Sequence, residues 1–196
     1  MHTPARSTFL LAFVLSVATL GNCYDFESEP NRHMWDGVMT DNPLTILEAL
    51  QDGADINGKH PGNGQTPLMA SVLQGQENAV IMLLDKGADT SIPERDGYTP
   101  VHGAGFQGRA SIMKILVQQA GMDPNDMHPD GFTPLHRACW GATPRHADTV
   151  KMLLILGVPY DQAAANGNTC MDITPNEQTK KALKNWKAQL ARKDEL

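Results

Sequence analysis

Gly64-Gln-Thr-Pro-Leu-Met69, Gly97-Tyr-Thr-Pro-Val-His102 and Gly131-Phe-Thr-Pro-Leu-His136 are three copies of one phrase, and Gly167-Asn-Thr-Cys-Met-Asp172 is a weaker fourth. Their leading glycines stand 33, 34 and 36 residues apart. An apolar block follows each of the three full copies: Val80-Ile-Met-Leu-Leu84, Ile112-Met-Lys-Ile-Leu116 and Val150-Lys-Met-Leu-Leu154. Ile46-Leu-Glu-Ala-Leu50 matches these blocks from upstream, and Gly53-Ala-Asp-Ile-Asn57, Gly87-Ala-Asp89 and Gly121-Met-Asp-Pro-Asn125 recur as loop signatures. Self-similarity at a fixed period of this size marks a stack of repeated supersecondary units.

The local physics agrees. Thr before Pro suits a helix start: the Thr hydroxyl can accept an orphan backbone N–H, and Pro at the first helical position loses no hydrogen bond. Thr66, Thr99 and Thr133 are therefore expected to open the first helix of each pair. Gly87 and Gly157 follow helical blocks and suit the left-handed position after a helix end. The second helices carry an apolar stripe, such as Val80, Met82, Leu83 and Leu84, that one hairpin cannot bury alone and stacked neighbours can. The expectation is an elongated, curved stack with local contacts.

These residues resemble the ankyrin repeat, whose period is about 33 residues and whose hallmark is Thr-Pro-Leu-His. The resemblance covers about His33 to Trp186 and implies an all-α solenoid of about five helix-turn-helix units joined by β-turn or hairpin loops. The units are placed at approximately 33–60, 62–92, 95–125, 129–161 and 165–192, within a domain of residues 33–192 preceded by a linker over 22–32. The first unit lacks Thr-Pro and reads as a cap. Met69 replaces the usual His. The fourth carries about three extra residues around Ala142-Thr-Pro144, either a tolerated loop or a bend in the wall beside Trp140. Lys180–Arg192 reads as a polar C-terminal cap. The resemblance gives His102 and His136 structural hydrogen bonds between neighbouring units. It places Cys139 where a small residue is buried, so that Cys139 and Cys170, on adjacent units, could form a disulfide.

The ends read as addresses. Arg6 precedes an uncharged run of 12 residues, Phe9–Leu20. A bilayer-spanning helix needs about 20 apolar residues, so the run fits a secretory signal over residues 1–21, cleaved after Gly21, better than a retained anchor or a buried helix. No later segment is long and apolar enough to span, so no stable membrane insertion is expected once the signal is removed. Lys193-Asp-Glu-Leu196 matches the signal read by the KDEL receptor for retrieval to the endoplasmic reticulum lumen. The rival is a periplasmic or secreted protein that protects a partner enzyme and carries this ending by coincidence.

Composition and motifs narrow the chemistry. With 41% hydrophobic residues and a net charge of −6, the chain is neither disordered nor basic enough to seek nucleic acid. The 7 histidines show no metal-ligand spacing, and the 3 cysteines form no Cys-x-x-Cys pair. There is no nucleophile elbow and no phosphate-binding loop; Gly103-Ala-Gly105 falls inside an expected first helix, where small residues permit close stacking. Asn168-Thr-Cys170 is only a rare type of glycosylation sequon. No cofactor or metal and no catalytic residue is expected.

What remains is a surface. In the family resembled here, recognition uses the loop tips and the exposed face of the first helices. The residue before each signature Thr is Gln65, Tyr98, Phe132 or Asn168, and the seventh residue after it is Leu73, Phe106 or Trp140. Tyr98, Phe106, Phe132 and Trp140 thus form a candidate strip, with Arg95, Asp96, His128 and Asp130 as its polar rim. Binding hot spots favour such rings. The alternative is that the insertion or the N-terminal segment covers them. The expected function is a non-catalytic protein- or peptide-binding module of the endoplasmic reticulum lumen, an adaptor or chaperone accessory; an enzyme of the secretory pathway would need convergent catalytic groups that the sequence does not assemble.

Overall fold

Thr66-Pro67, Thr99-Pro100, Thr133-Pro134 and Thr143-Pro144 each open a helix. In the computed structural model, which describes residues 27–194, the described residues form ten helices and no strand. These are α1 (Glu29–Met39), α2 (Pro43–Gln51), α3 (Pro67–Gln74), α4 (Glu77–Asp85), α5 (Pro100–Gln107), α6 (Ala110–Gln118), α7 (Pro134–Cys139), α8 (Pro144–Ile155), α9 (Cys170–Ile173) and α10 (Glu177–Asp194). The signal segment, residues 22–26 and the final Glu195 and Leu196 lie outside the described residues. The first helix begins at Glu29, inside the span read as linker, because Ser28 caps it and Pro30 sits in its first turn.

The helices pair in sequence, and each pair leans on the next. The odd-numbered helices form one layer, α1 on α3, α3 on α5, α5 on α7 and α7 on α9. The even-numbered ones form the other, α2 on α4, α4 on α6, α6 on α8 and α8 on α10. This is the expected all-α solenoid. Between the layers runs one continuous core, including Ile46, Leu68, Val80, Leu83, Val101, Ile112, Leu116, Leu135, Val150 and Leu153. The polar helix α10 closes it by burying only Thr179 and Leu183 fully, with Trp186 half-buried.

The caps differ from the simple expectation at two of three sites. Thr66 accepts the backbone N–H of Met69 at 3.2 Å. At Thr99 and Thr133 the hydroxyl instead meets Nδ1 of His102 and His136, each at 2.8 Å. An imidazole three residues along competes for the hydroxyl, and methionine cannot. His136 then reaches the Gln162 carbonyl of the following unit through Nε2 at 3.1 Å, the expected tie between repeats.

The insertion in the fourth unit is a fourth cap. Thr143-Pro-Arg-His146 repeats the Thr-Pro-x-His pattern at the start of α8, with Thr143 Oγ1 and His146 Nδ1 2.6 Å apart. His146 is buried, and its Nε2 lies 3.0 Å from the Phe106 carbonyl of the preceding unit. From the other side Asn176 donates to the carbonyls of Gly141 and Thr143. The extra residues therefore key the fourth unit to both neighbours rather than form a free loop. Cys139 and Cys170, both fully buried, are disulfide-bonded across α7 and α9, as the aligned repeats suggested.

Close stacking depends on small residues. A Cβ at Gly105 would stand 2.5 Å from the Pro134 carbonyl oxygen, whereas one at Gly103 would meet only the flexible ends of Met69 and Leu73 at 3.1 Å and beyond. Backbone cannot yield as a methionine tip can. Gly105→Ala is expected to destabilise the fold by about 2 kcal/mol despite the better helix propensity of alanine, and Gly103→Ala by under about 1 kcal/mol. Urea unfolding of the two variants measures the difference; equal effects would contradict the stacking geometry.

Candidate functional site

Two fingers and two short helices build the exposed face. Residues 94–98 turn before α5 and residues 128–132 before α7, each turn closed by a backbone pair, Glu94 with Tyr98 and His128 with Phe132. The fingers are fastened to each other. His128 is buried, its Nε2 lies 2.9 Å from the Asp96 carbonyl, and its ring stacks on Tyr98 with centroids 4.0 Å apart. His128 is thus part of the frame and not of an exposed rim, which corrects the sequence reading. The neighbouring repeat supplies the carbonyl and the ring that shelter it.

The structure gathers Tyr98, Phe132 and Trp140 around a residue that sequence reasoning missed. Arg137 is only 6% exposed. Its guanidinium carbon lies 4.7 Å from the ring centre of Tyr98, 4.6 Å from Trp140 and 5.5 Å from Phe132. It donates to the Asp130 carboxylate and to the Tyr98 hydroxyl, which in turn donates to Asp130 at 3.2 Å. A signal was present: the fourth residue after the signature Thr is Ala70, Gly103 and then Arg137, the one charged side chain in that register. The covering of the rings is therefore partial and comes from Arg137, not from the insertion.

Exposure now divides the strip. Tyr98 and Phe132 are half-buried parts of this cluster. Phe106 is 56% exposed and Trp140 38%. Phe106 makes no ring contact with the other three among the described residues; it borders a cleft of about 390 Å³ with Met69, Leu73, Gly103, Tyr98 and Arg137. Glu94 and Asp96 stand at that cleft too. Arg95 is exposed, and its guanidinium donates to the Pro61 carbonyl at 2.9 Å.

The electrostatics follow the burial. Burial by itself would raise the Asp130 carboxyl, but hydrogen bonds from Arg137, His128 and the Phe132 backbone prevail and hold it well below the usual carboxylate range. His102 and His136 are shifted down chiefly because burial penalises the imidazolium. Among the described residues no group of histidine, cysteine and carboxylate side chains could hold a metal, and no helix is long and apolar enough to cross a membrane.

A family model described as ankyrin repeats (3 copies) matches residues 37–128 and 94–164. Tyrosine-protein kinase HTK16 of Hydra vulgaris is 32% identical over 136 residues, 67% of this chain and 17% of the kinase. ARF GTPase-activating protein GIT1 of Homo sapiens is 30% identical over 121 residues, 59% of this chain and 16% of that protein. The chain therefore spans under one fifth of either relative. Notch-regulated ankyrin repeat-containing protein A of Danio rerio is 30% identical over 110 residues, 54% of this chain and 94% of that protein.

Two outcomes test this geometry. Arg137→Gln removes a cation held against three rings and takes the guanidinium from Asp130, which keeps only its contacts to Tyr98, His128 and the Phe132 backbone, so unfolding free energy is expected to fall by about 2 kcal/mol; no loss in denaturant titration would show that the guanidinium is not held there. The histidines set a pH dependence. Their folded pKa values lie below the ordinary 6.5, so the unfolded chain binds the extra protons and stability falls as pH drops below about 6.5. Melting temperatures between pH 7.5 and 5.5 are expected to decline. The decline is expected to be shallower in His102→Gln/His136→Gln, and an unchanged slope would exclude these two groups.

Proposed function

The chain belongs to the ankyrin-repeat family, and on that premise we propose that it is a non-catalytic protein-binding module of the endoplasmic reticulum lumen, an adaptor or chaperone accessory that takes a protein or peptide into the groove formed by its fingers and first helices. The observation that carries the reading is the exposure of two large rings, Phe106, which borders an apolar cleft, and Trp140 in the next unit. The core does not include these rings, being built from leucine, isoleucine, valine, methionine, alanine and the two disulfide cysteines. Large exposed rings on a rigid face mark contact surfaces.

The location draws on three features. The run Phe9–Leu20 supplies entry to the secretory pathway and Lys193–Leu196 supplies retrieval by the KDEL receptor. The Cys139–Cys170 disulfide suits an oxidising compartment, since such bonds are rare where glutathione keeps thiols reduced.

The test is affinity capture of the full chain, expressed with its own signal, followed by mass spectrometry of what co-elutes. Phe106→Ala with Trp140→Ala is expected to lose at least about tenfold of the specific partner signal without loss of folding, because both rings are outside the core. Deletion of residues 193–196 is expected to move the protein from the lumenal fraction to the medium. Unchanged capture would overturn the binding surface, and unchanged retention would overturn the retrieval reading.

A further inference from the structure

We propose that the cleft between α3 and α5 is a side-chain pocket for an extended basic peptide, taking an aliphatic residue such as Leu or Met with a Lys or Arg lying against Glu94 and Asp96. This rests on the groove-binding reading and specifies its ligand. The cleft exists because of a register difference between successive first helices. At one position they carry Ala70, Gly103 and Arg137. Glycine in the middle leaves the floor open. Even a single Cβ there would approach Met69 Cε to 3.1 Å and Leu73 Cδ2 to 3.2 Å, so any larger residue would fill the space. The remaining volume of about 390 Å³ has walls of Met69, Leu73, Phe106 and Tyr98. Methionine is the most adaptable of core side chains and can close around an unbranched or γ-branched guest.

The far wall is preorganised. Tyr98 is stacked on His128 and hydrogen-bonded to Asp130, while Arg137 is pinned by Asp130 and three rings. A wall already ordered adds little entropic cost to binding.

Charge selects the rest of the ligand. Arg137 is the cation in the lining, and Asp130 neutralises it. Arg95 is turned to the Pro61 carbonyl. Glu94 accepts the Asp96 backbone N–H at 3.0 Å, and neither carboxylate has an ion-pair partner among the described residues. The mouth is therefore negative, on a chain whose net charge is −6. An acidic or phosphorylated segment would be repelled there, whereas a basic side chain gains Coulomb attraction and keeps its stem on the apolar wall.

The experiment is selection from a random nonapeptide phage library on the folded full-length protein, then titration of a selected synthetic peptide. Enrichment of Leu or Met within two residues of Lys or Arg is expected. Glu94→Lys with Asp96→Lys, both on the surface and outside the core, is expected to weaken the selected peptide at least about tenfold and to reverse its salt dependence. Gly103→Leu, checked for folding by circular dichroism, is expected to abolish binding by filling the cleft. Selection of acidic or uncharged peptides, or binding unchanged in the double lysine variant, would overturn the proposal. If the library yields nothing while capture dependent on Phe106 and Trp140 persists, the pocket assignment fails and the groove reading stands; if both are lost, both fail.

Discussion

No hairpin in this chain buries its own apolar stripe, and that need for a neighbour governs everything else. Successive helices within a layer approach so closely that a methyl group cannot be placed between Gly105 of α5 and the Pro134 carbonyl of α7. Polar ties of similar reach reinforce the contact. Asp41 in the first turn accepts the Ala79 N–H at the start of α4, Arg109 donates to the carbonyls of Leu73 and Gln74 at the end of α3, and His146 meets the Phe106 carbonyl. Each tie satisfies a helix end or loop carbonyl that the hairpin's own residues leave open. Stability is consequently shared between adjacent units and not stored in any one of them.

The candidate groove is a by-product of the same stacking. Because the units advance by nearly constant steps, the residue before each signature Thr and the residue seven after it line up along one face. Tyr98 and Phe132 then fall on either side of Arg137. The guanidinium, desolvated between rings and paired with Asp130, converts two potentially exposed aromatics into structural ones. Phe106 and Trp140 keep their surface. Rigidity on one wall and open apolar area on the other is the division a recognition surface requires.

The C-terminal end uses a different device. The helix α9 has only four residues, too few to hold itself by helical cooperativity. The disulfide from Cys170 to Cys139 and the Asn176 contacts to the turn before α8 fasten it, and α10 then turns its polar length outward. A chain folded this way gains from an oxidising compartment.

Much of this was legible from the residues alone, because repeat length, Thr-Pro starts and apolar blocks are local signals repeated at one period. They located the helix starts at Thr66, Thr99 and Thr133 and the left-handed glycines at 87 and 157, and they offered Cys139–Cys170 as a possible pairing. The tertiary structure decided what depends on residues some 30 to 40 positions away. It buried His128 against Asp96 and Tyr98, made the insertion a keyed cap through His146, and placed Arg137 against Tyr98 inside the ring cluster. A linear pattern says which face a side chain occupies. Whether that side chain meets solvent, a carbonyl or another ring is settled only when the next repeat arrives beside it.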